Sequence, residues 1–164
     1  MPRPAAWLGL TAWYGLAALV IILDQLSKLW VLAALKPGQS VELAPFFSLV
    51  LVFNAGAAFS FLSEAGGWQR GFFILLALAV SAWLAVLIRR HADERLLPLA
   101  ASLILGGALG NVIDRIRFGA VVDFLDAHVG GWHWPAFNVA DSAISVGVAL
   151  LIWQQLFHAP KAAK

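Results

Sequence analysis

Four long apolar stretches constrain this chain more than any other feature of its sequence. They cover residues 7–23, 71–88, 96–113 and 143–157, with ionisable residues at or just beyond their ends. A helix that crosses the hydrocarbon core of a bilayer needs roughly 20 apolar residues at about 1.5 Å each. With 62% hydrophobic and 12% charged residues and a mean hydropathy of +0.84, these 164 residues do not form a soluble domain. We expect a single membrane domain over residues 1–164, with transmembrane helices at about 9–33, 70–88, 96–115 and 139–158.

Basic residues between the apolar stretches indicate how the helices are oriented. Because Lys and Arg concentrate in short cytoplasmic connections, both termini should face the cytoplasm, and the connections at about 36–69 and 116–138 should lie outside. The first stretch could instead be a secretory signal peptide, but its helical pattern continues past Asp24 to Leu35, so we expect it to stay attached. A net charge of +2 does not suggest nucleic-acid binding. The residues that set the orientation are Arg3, Arg89, Arg90, Arg95, Lys161 and Lys164.

The first outer connection, at about 36–69, is too long to be a simple turn between two helices. Its β-branched and aromatic residues at 39–43 and 46–53 stand between Pro and Gly, which is typical of short strands. We therefore predict an all-α membrane protein whose four transmembrane helices carry a small β-sheet and loop on the outer face. The large apolar side chains of this connection should lie on lipid or substrate: Phe46, Phe47, Phe53, Phe59, Phe61 and Leu62.

The residue types present exclude several kinds of chemistry. The chain has no Cys, and therefore no disulfide, thiolate nucleophile or iron–sulfur cluster of its own. His128 and His133 lie near Asp126, but their spacing matches no recognised ligand pattern, and we expect no metal and no cofactor. No serine lies in a Gly-x-Ser-x-Gly elbow, and Ser27 beside Lys28 is a weak nucleophile candidate. Carboxylates remain, and ionisable groups at a membrane are functional candidates by default.

Asp123 and Asp141 are the two carboxylates most able to meet. Asp123 follows the third apolar stretch in a Val-rich, strand-like segment, Asp141 opens the fourth, and Gly and Pro between them let the chain reverse. Asp114 is a poorer candidate for this pair, because a local ion pair with Arg115 would keep it ionised. Asp126 is the spare candidate. Two carboxylates about 3 Å apart share one proton, so one can polarise a carbonyl while the other activates a water. Such a pair can cut an amide.

Both aspartates also have structural interpretations. Asn138, three residues before Asp141 at the start of an apolar run, has the pattern of a helix N-cap followed by an acid that favours the helix dipole. Asp123 could be a solvated loop acid. Spacing alone leaves these alternatives open.

Two further patterns are most simply structural. Asp24 and Lys28 are one helical turn apart, which favours an ion pair. Gly106 and Gly110 form a Gly-x-x-x-Gly step, which is more often a notch for helix packing than part of a catalytic site.

Five motifs in order resemble those of the bacterial lipoprotein signal peptidases, the signal peptidase II family. The resemblance spans nearly the whole chain, and five motifs in one four-helix membrane sequence are far more specific than any one of them. The motifs are Asp24-Gln-Leu-Ser-Lys28, Asn54-Ala-Gly56-Ala-Ala-Phe59-Ser, Gly106-Gly-Ala-Leu-Gly-Asn111-Val-Ile-Asp114-Arg115, Val121-Val-Asp123-Phe and Phe137-Asn138-Val-Ala-Asp141-Ser.

The resemblance implies an intramembrane aspartyl endopeptidase of the bacterial inner membrane that cuts prolipoproteins just before their diacylglyceryl-modified cysteine. The family's catalytic aspartates correspond to Asp123 and Asp141, the pair that the residues themselves favour. The resemblance also implies membrane lipid as the surroundings, globomycin as an inhibitor and a monomeric chain. The substrate-binding positions match Asn54, Asn111, Arg115 and Asn138, and supporting positions match Asp24, Lys28, Gly56, Gly107 and Asp114.

Two other classes of protein compete with this interpretation. A small proton-coupled transporter would also hold carboxylates in its helices, but it predicts acids near the midplane and an internal repeat, and the sequence has no visible repeat. A non-enzymatic scaffold would use the glycine step for packing and tryptophans as interfacial anchors. Cleavage of a lipidated prolipoprotein discriminates among the three.

Overall fold

The computed structural model describes residues 4–56 and 66–157, with side chains from residue 9 onward. The predictions for Arg3, Phe59, Phe61, Leu62, Lys161 and Lys164 therefore lie outside the described residues. The described chain contains four helices and four strands: α1 (Pro4–Ala34), β1 (Ser40–Ala44), β2 (Phe47–Asn54), α2 (Trp68–Arg90), α3 (Leu96–Phe118), β3 (Val121–Val129), β4 (Trp132–His133) and α4 (Val139–Phe157).

The four predicted transmembrane helices are confirmed. Each has a segment long and apolar enough to cross a membrane, and in α1 that segment is Gly9–Ala34. The bounds differ most from the predicted ones at the start of α1, which begins five residues before residue 9, and at the end of α3, which continues three residues past Arg115 to Phe118. Arg115 and Arg117 suit the last turn because positive charge there opposes the helix dipole. The helix ends at Gly119, whose φ of 79° is favourable for glycine and whose N–H donates to the Arg115 carbonyl.

α3 is the central helix of the bundle. Most of its residues are buried, whereas the other three helices leave most of theirs facing outward. Glycine permits this close packing. A Cβ at Gly106 would lie 2.6 Å from the Ala17 carbonyl oxygen of α1, and one at Gly107 would collide with the Ala140 carbonyl oxygen of α4. The predicted packing notch is therefore confirmed, and the glycines bring α1 and α4 against opposite sides of α3.

The predicted small sheet is also confirmed, and it has four antiparallel strands in the order β1-β2-β3-β4. Its two outer-connection strands lie within one residue of their predicted positions. β3 pairs with β2 from Asn54 opposite Val121 to Phe47 opposite Ala127. The β3–β4 hairpin turns at Gly130 and Gly131, whose φ values of 58° and 83° suit the tight turns that match the strand twist.

Apolar packing fixes the sheet against the C-terminal end of α1. Val31 of α1, Leu51 of β2, and Val122 and Phe124 of β3 form one buried cluster. Because side chains alternate along a strand, the face of β3 that carries Val122 and Phe124 is turned toward α1. Asp123 is therefore directed to the opposite face.

Candidate active site

Asp123 is a buried strand residue with amide donors on both carboxylate oxygens. Its exposure is 3%. Asn138 Nδ2 donates to Asp123 Oδ1 at 2.8 Å, and Asn54 Nδ2 donates to Asp123 Oδ2 at 3.2 Å. The interpretation of Asp123 as a solvated loop acid is therefore wrong.

Asp141 lies in the first turn of α4 and is held by two asparagines. Asn111 Nδ2 donates to Asp141 Oδ1 at 2.8 Å, and the Asp141 backbone N–H donates to Asn138 Oδ1 at 2.9 Å. The predicted N-cap at Asn138 is confirmed by this bond. Because the same side chain also donates to Asp123, capping and contact with the other aspartate are two functions of one amide.

The two aspartates line one cavity, although they lie on different elements and 18 residues apart. The cavity has a volume of about 970 Å³. Asn54, Asn111 and Arg115, three of the four predicted substrate-binding residues, also line it. Asn138, the fourth, is fully buried behind both aspartates. The space can therefore admit a peptide segment to the two carboxylates.

The surroundings of Asp123 favour its protonated form. Burial, assisted by the neighbouring Asp141 charge, raises the pKa of Asp123 from its ordinary value of 3.8 to about 7. Hydrogen bonds from Asn54 and Asn138 and the charge of Lys28 oppose the increase but do not cancel it. A carboxylic acid that keeps its proton near neutral pH can donate a hydrogen bond to a carbonyl.

Arg115 reaches across the cavity from the end of α3. Its Nη2 donates to the Gly56 carbonyl oxygen at 2.8 Å, and its guanidinium carbon lies 5.2 Å from the centre of the Phe73 ring. Gly56 is itself held in place, since its N–H donates to Asn54 Oδ1 at 3.0 Å. The guanidinium therefore links α3 to the turn that follows β2. Phe73 was not among the predicted site residues.

A buried ion cluster lies beneath the two aspartates. The predicted Asp24–Lys28 ion pair is confirmed at 2.8 Å between Asp24 Oδ2 and Lys28 Nζ. Asp114 also pairs with Lys28, at 2.7 Å. The expectation that Asp114 pairs locally with Arg115 is wrong, because Asp114 points inward while Arg115 points into the cavity. Gln25, which the sequence reasoning missed, donates to Asp114 Oδ1 at 2.9 Å; its place inside the Asp24-Gln-Leu-Ser-Lys28 motif is the only signal for it.

Asp126, the spare candidate, lies on the other face of β3. It pairs with His133 at 2.9 Å, and the His133 ring stacks on His128 at 4.9 Å between centroids. Neither it nor the histidines line the cavity that contains Asp123 and Asp141. Within residues 4–56 and 66–157, no group of three or more His, Cys, Asp or Glu is arranged to hold a metal ion.

Comparison with known proteins places this site in a family. A family model described as signal peptidase (SPase) II matches residues 16–157. The chain belongs to the signal peptidase II family. Proteins named lipoprotein signal peptidase from Paraburkholderia phymatum and from an Azoarcus species are 54% and 55% identical to it over 156 and 163 residues. These alignments cover 95% and 98% of this chain and 93% and 92% of the relatives.

Solved structures support the fold. Two structures described as bacterial membrane enzymes determined by the in meso method, at 2.3 and 1.9 Å resolution, have TM-scores of 0.80 and 0.78 and identities of 31% and 34%. They cover 93% and 89% of this chain, and 94% and 93% of their own chains are matched. Membership of the signal peptidase II family supports a protease, and with four membrane-spanning-length helices it fits a multi-pass protein of the bacterial inner membrane.

Proposed function

We propose that this chain is an intramembrane aspartyl endopeptidase that removes signal peptides from diacylglyceryl-modified prolipoproteins, cutting before the lipidated cysteine. Asp123 and Asp141 are its catalytic residues. The observation that carries the proposal is that both carboxylates line one cavity at the outer end of the bundle, each held by side-chain amides. Family membership supplies the class of substrate.

The chemistry needs the two aspartates to carry one proton between them. The ionised carboxylate removes a proton from a water molecule as the water oxygen attacks the scissile carbonyl carbon. The protonated carboxyl donates a hydrogen bond to the carbonyl oxygen, where negative charge develops. The tetrahedral intermediate then collapses, the C–N bond breaks, and the leaving amine takes a proton from the dyad. The raised pKa of Asp123 supports a shared proton near neutral pH.

The asparagines and Arg115 bind and orient in this proposal. Asn111 and Asn138 fix the carboxylates through the bonds described for the site, while Asn54 and Arg115, which also line the cavity, present polar groups to the peptide. A substrate bound in extended form exposes the carbonyl that water must attack, whereas a helical backbone shields it. Arg115 is therefore expected to contribute more to turnover than to folding.

The substrate explains why the site lies within the membrane domain. Each buried methylene of an acyl chain is worth about 0.8 kcal/mol, so a diacylated peptide stays in the bilayer. The enzyme must therefore meet it laterally. We propose that both termini face the cytoplasm, that residues 1–164 form one domain working as a monomer, and that globomycin competes with substrate at the dyad.

A cleavage assay with matched aspartate variants tests the proposal. Purified Asp123→Asn and Asp141→Asn are compared with wild type and Asp93→Asn, whose aspartate is exposed between α2 and α3. The substrate is a diacylglyceryl-modified prolipoprotein in detergent, and its signal peptide is followed by mass spectrometry. We expect wild type and Asp93→Asn to cut before the lipidated cysteine and both dyad variants to lose cleavage while remaining folded. A folded double variant that still cuts would leave a transporter or scaffold as the better explanation.

A further inference from the structure

The residues immediately before the two dyad aspartates are held in the same way. The backbone N–H of Val122, which precedes Asp123, donates to Asp114 Oδ2 at 3.1 Å. The backbone N–H of Ala140, which precedes Asp141, donates to Asp24 Oδ1 at 2.9 Å. Each catalytic element is therefore tied by a main-chain bond to one buried carboxylate of the helix bundle.

One ammonium group joins these two carboxylates. Lys28 Nζ lies 2.8 Å from Asp24 Oδ2 and 2.7 Å from Asp114 Oδ2. Lys28 Nζ also donates to Asn111 Oδ1 at 3.0 Å, and the amide of Asn111 donates in turn to Asp141. An ammonium has three protons, and this one donates hydrogen bonds to Asp24 and Asn111 and forms an ion pair with Asp114. Asp24, Lys28 and Asp114 are all at most 2% exposed, so water does not compete for these bonds.

We propose that Lys28 is a positioning residue that sets the separation of the two catalytic aspartates. It draws Asp24 and Asp114 to one point, and each of these carboxylates holds the peptide group before one member of the dyad. The main-chain positions of β3 and α4 at the site are thus fixed relative to a single atom of α1. This inference rests on the proposed function, because it assumes that Asp123 and Asp141 work together.

A role in stability alone does not account for this arrangement. Buried ion pairs are weak evidence for stability, because removing charges from water costs several kcal/mol per ion and apolar replacements are often as stable. The geometry has a more specific consequence. Moving Lys28 Nζ moves both carboxylates and hence both aspartates, and a misplacement of about 1 Å in an active site can cost roughly 10²-fold in rate.

Lys28→Arg separates charge from geometry. The variant keeps the positive charge in the cluster, but a planar guanidinium cannot place one nitrogen between both carboxylates and the Asn111 amide. We expect the folded variant to lose roughly 10²-fold in kcat and to keep KM, because Lys28 itself does not line the cavity. Its pH–rate profile should also shift, since the coupling between the two carboxyl groups depends on their separation. Lys36→Arg, at an exposed lysine just after α1, is the matched control and should behave as wild type.

A second variant covers the case in which Lys28→Arg does not fold. The combined Lys28→Met, Asp24→Asn and Asp114→Asn variant removes all three charges but retains oxygen acceptors for both backbone N–H groups. It should fold and should show the same loss of kcat at unchanged KM. Wild-type kcat per folded molecule and an unshifted pH profile in whichever of the two variants folds would overturn the proposal.

A titration separates this proposal from the proposed function. The carboxyl ¹³C signal of Asp123 is followed against pH in micelles for wild type, Lys28→Arg, the combined variant and Lys36→Arg. A changed Asp123 titration in Lys28→Arg, which keeps the positive charge, with Lys36→Arg unchanged, supports the positioning role even if wild type fails to cut the prolipoprotein. Identical titrations in all four proteins would refute it even if wild type is active.

Discussion

The titration of Asp123 predicts a pH dependence of stability that one substitution should remove. The pKa of Asp123 is raised from 3.8 to about 7 in the folded protein, chiefly by burial. Between about pH 4 and pH 7 the folded protein therefore holds a proton that the unfolded chain releases, so stability falls as pH rises through this interval. The stabilisation is complete below the unfolded pKa and is lost at the folded one. A pKa raised from 3.8 to about 7 corresponds to roughly 4 kcal/mol.

Asp123→Asn should flatten this dependence because the amide does not titrate. The variant also loses one acceptor for Asn54 or Asn138, but that loss is an offset that does not vary with pH. Thermal unfolding is measured in detergent at a series of pH values from 4.5 to 8 for wild type, Asp123→Asn and the exposed control Asp93→Asn. Since 1 kcal/mol shifts the midpoint by about 2–4 °C in a chain of this size, the difference between wild type and Asp123→Asn should change by roughly 10 °C across the series.

The result that refutes this reasoning is a constant difference between the two midpoints at every pH. Asp123 would then be ionised in the folded protein across the whole range, and burial could not be the dominant influence on it. Asp93→Asn is the control for effects that do not depend on the site, because a change seen in both Asp123→Asn and Asp93→Asn cannot come from the site. Cleavage by wild type should also decline above about pH 7, as the shared proton leaves the pair.

Three further substitutions test the contacts around the dyad. Asn138→Ala removes a helix cap worth about 1 kcal/mol and the donor to Asp123. Cleavage should therefore fall far more than the unfolding midpoint. Losses of cleavage and of midpoint in proportion to each other would contradict the role of Asn138 as both helix cap and donor to Asp123. Gly107→Ala places a Cβ against an α4 carbonyl and should lower both midpoint and turnover, whereas Gly15→Ala, with open space around its Cβ, should lower neither. Arg115→Ala should reduce turnover per folded enzyme more than it reduces the midpoint, and unchanged turnover with a melting loss would count against its place at the substrate.

Much of the fold follows from the lengths of the apolar runs. A run of about 20 apolar residues has few alternatives to a transmembrane helix, and β-branched residues between Pro and Gly predict strands. The helix ends are less predictable because a charge does not stop a helix at a membrane surface. α3 shows this, since Arg115 and Arg117 lie within its last turn. The helix ends instead at Gly119, where the backbone has a positive φ.

That Asp123 and Asp141 share one cavity could be predicted from residue chemistry, but the residues that support them could not. Elimination of Cys, Ser and His leaves carboxylates, and chain order places Asp123 and Asp141 at the same end of two helices. The partner of Asp114 depends on which face of α3 turns toward α1, and sequence proximity suggested Arg115 instead. Only packing decides that Lys28, 86 residues away along the chain, is the partner.

The same polar groups explain why the bundle packs so closely at the end that carries the sheet. A charge within a transmembrane helix costs roughly 2.5–3.5 kcal/mol even on a lenient scale, so the cluster around Lys28 must be shielded from lipid. Gly110 allows this shielding, because a Cβ there would lie 2.6 Å from Asp24 Oδ2, and only a glycine leaves room for the carboxylate between α1 and α3. The carboxylate that fills this space also bonds the backbone N–H of Ala140. A glycine that is structural by its spacing thus makes room for the charge that orients α4, so helix packing and placement of Asp141 depend on the same few atoms.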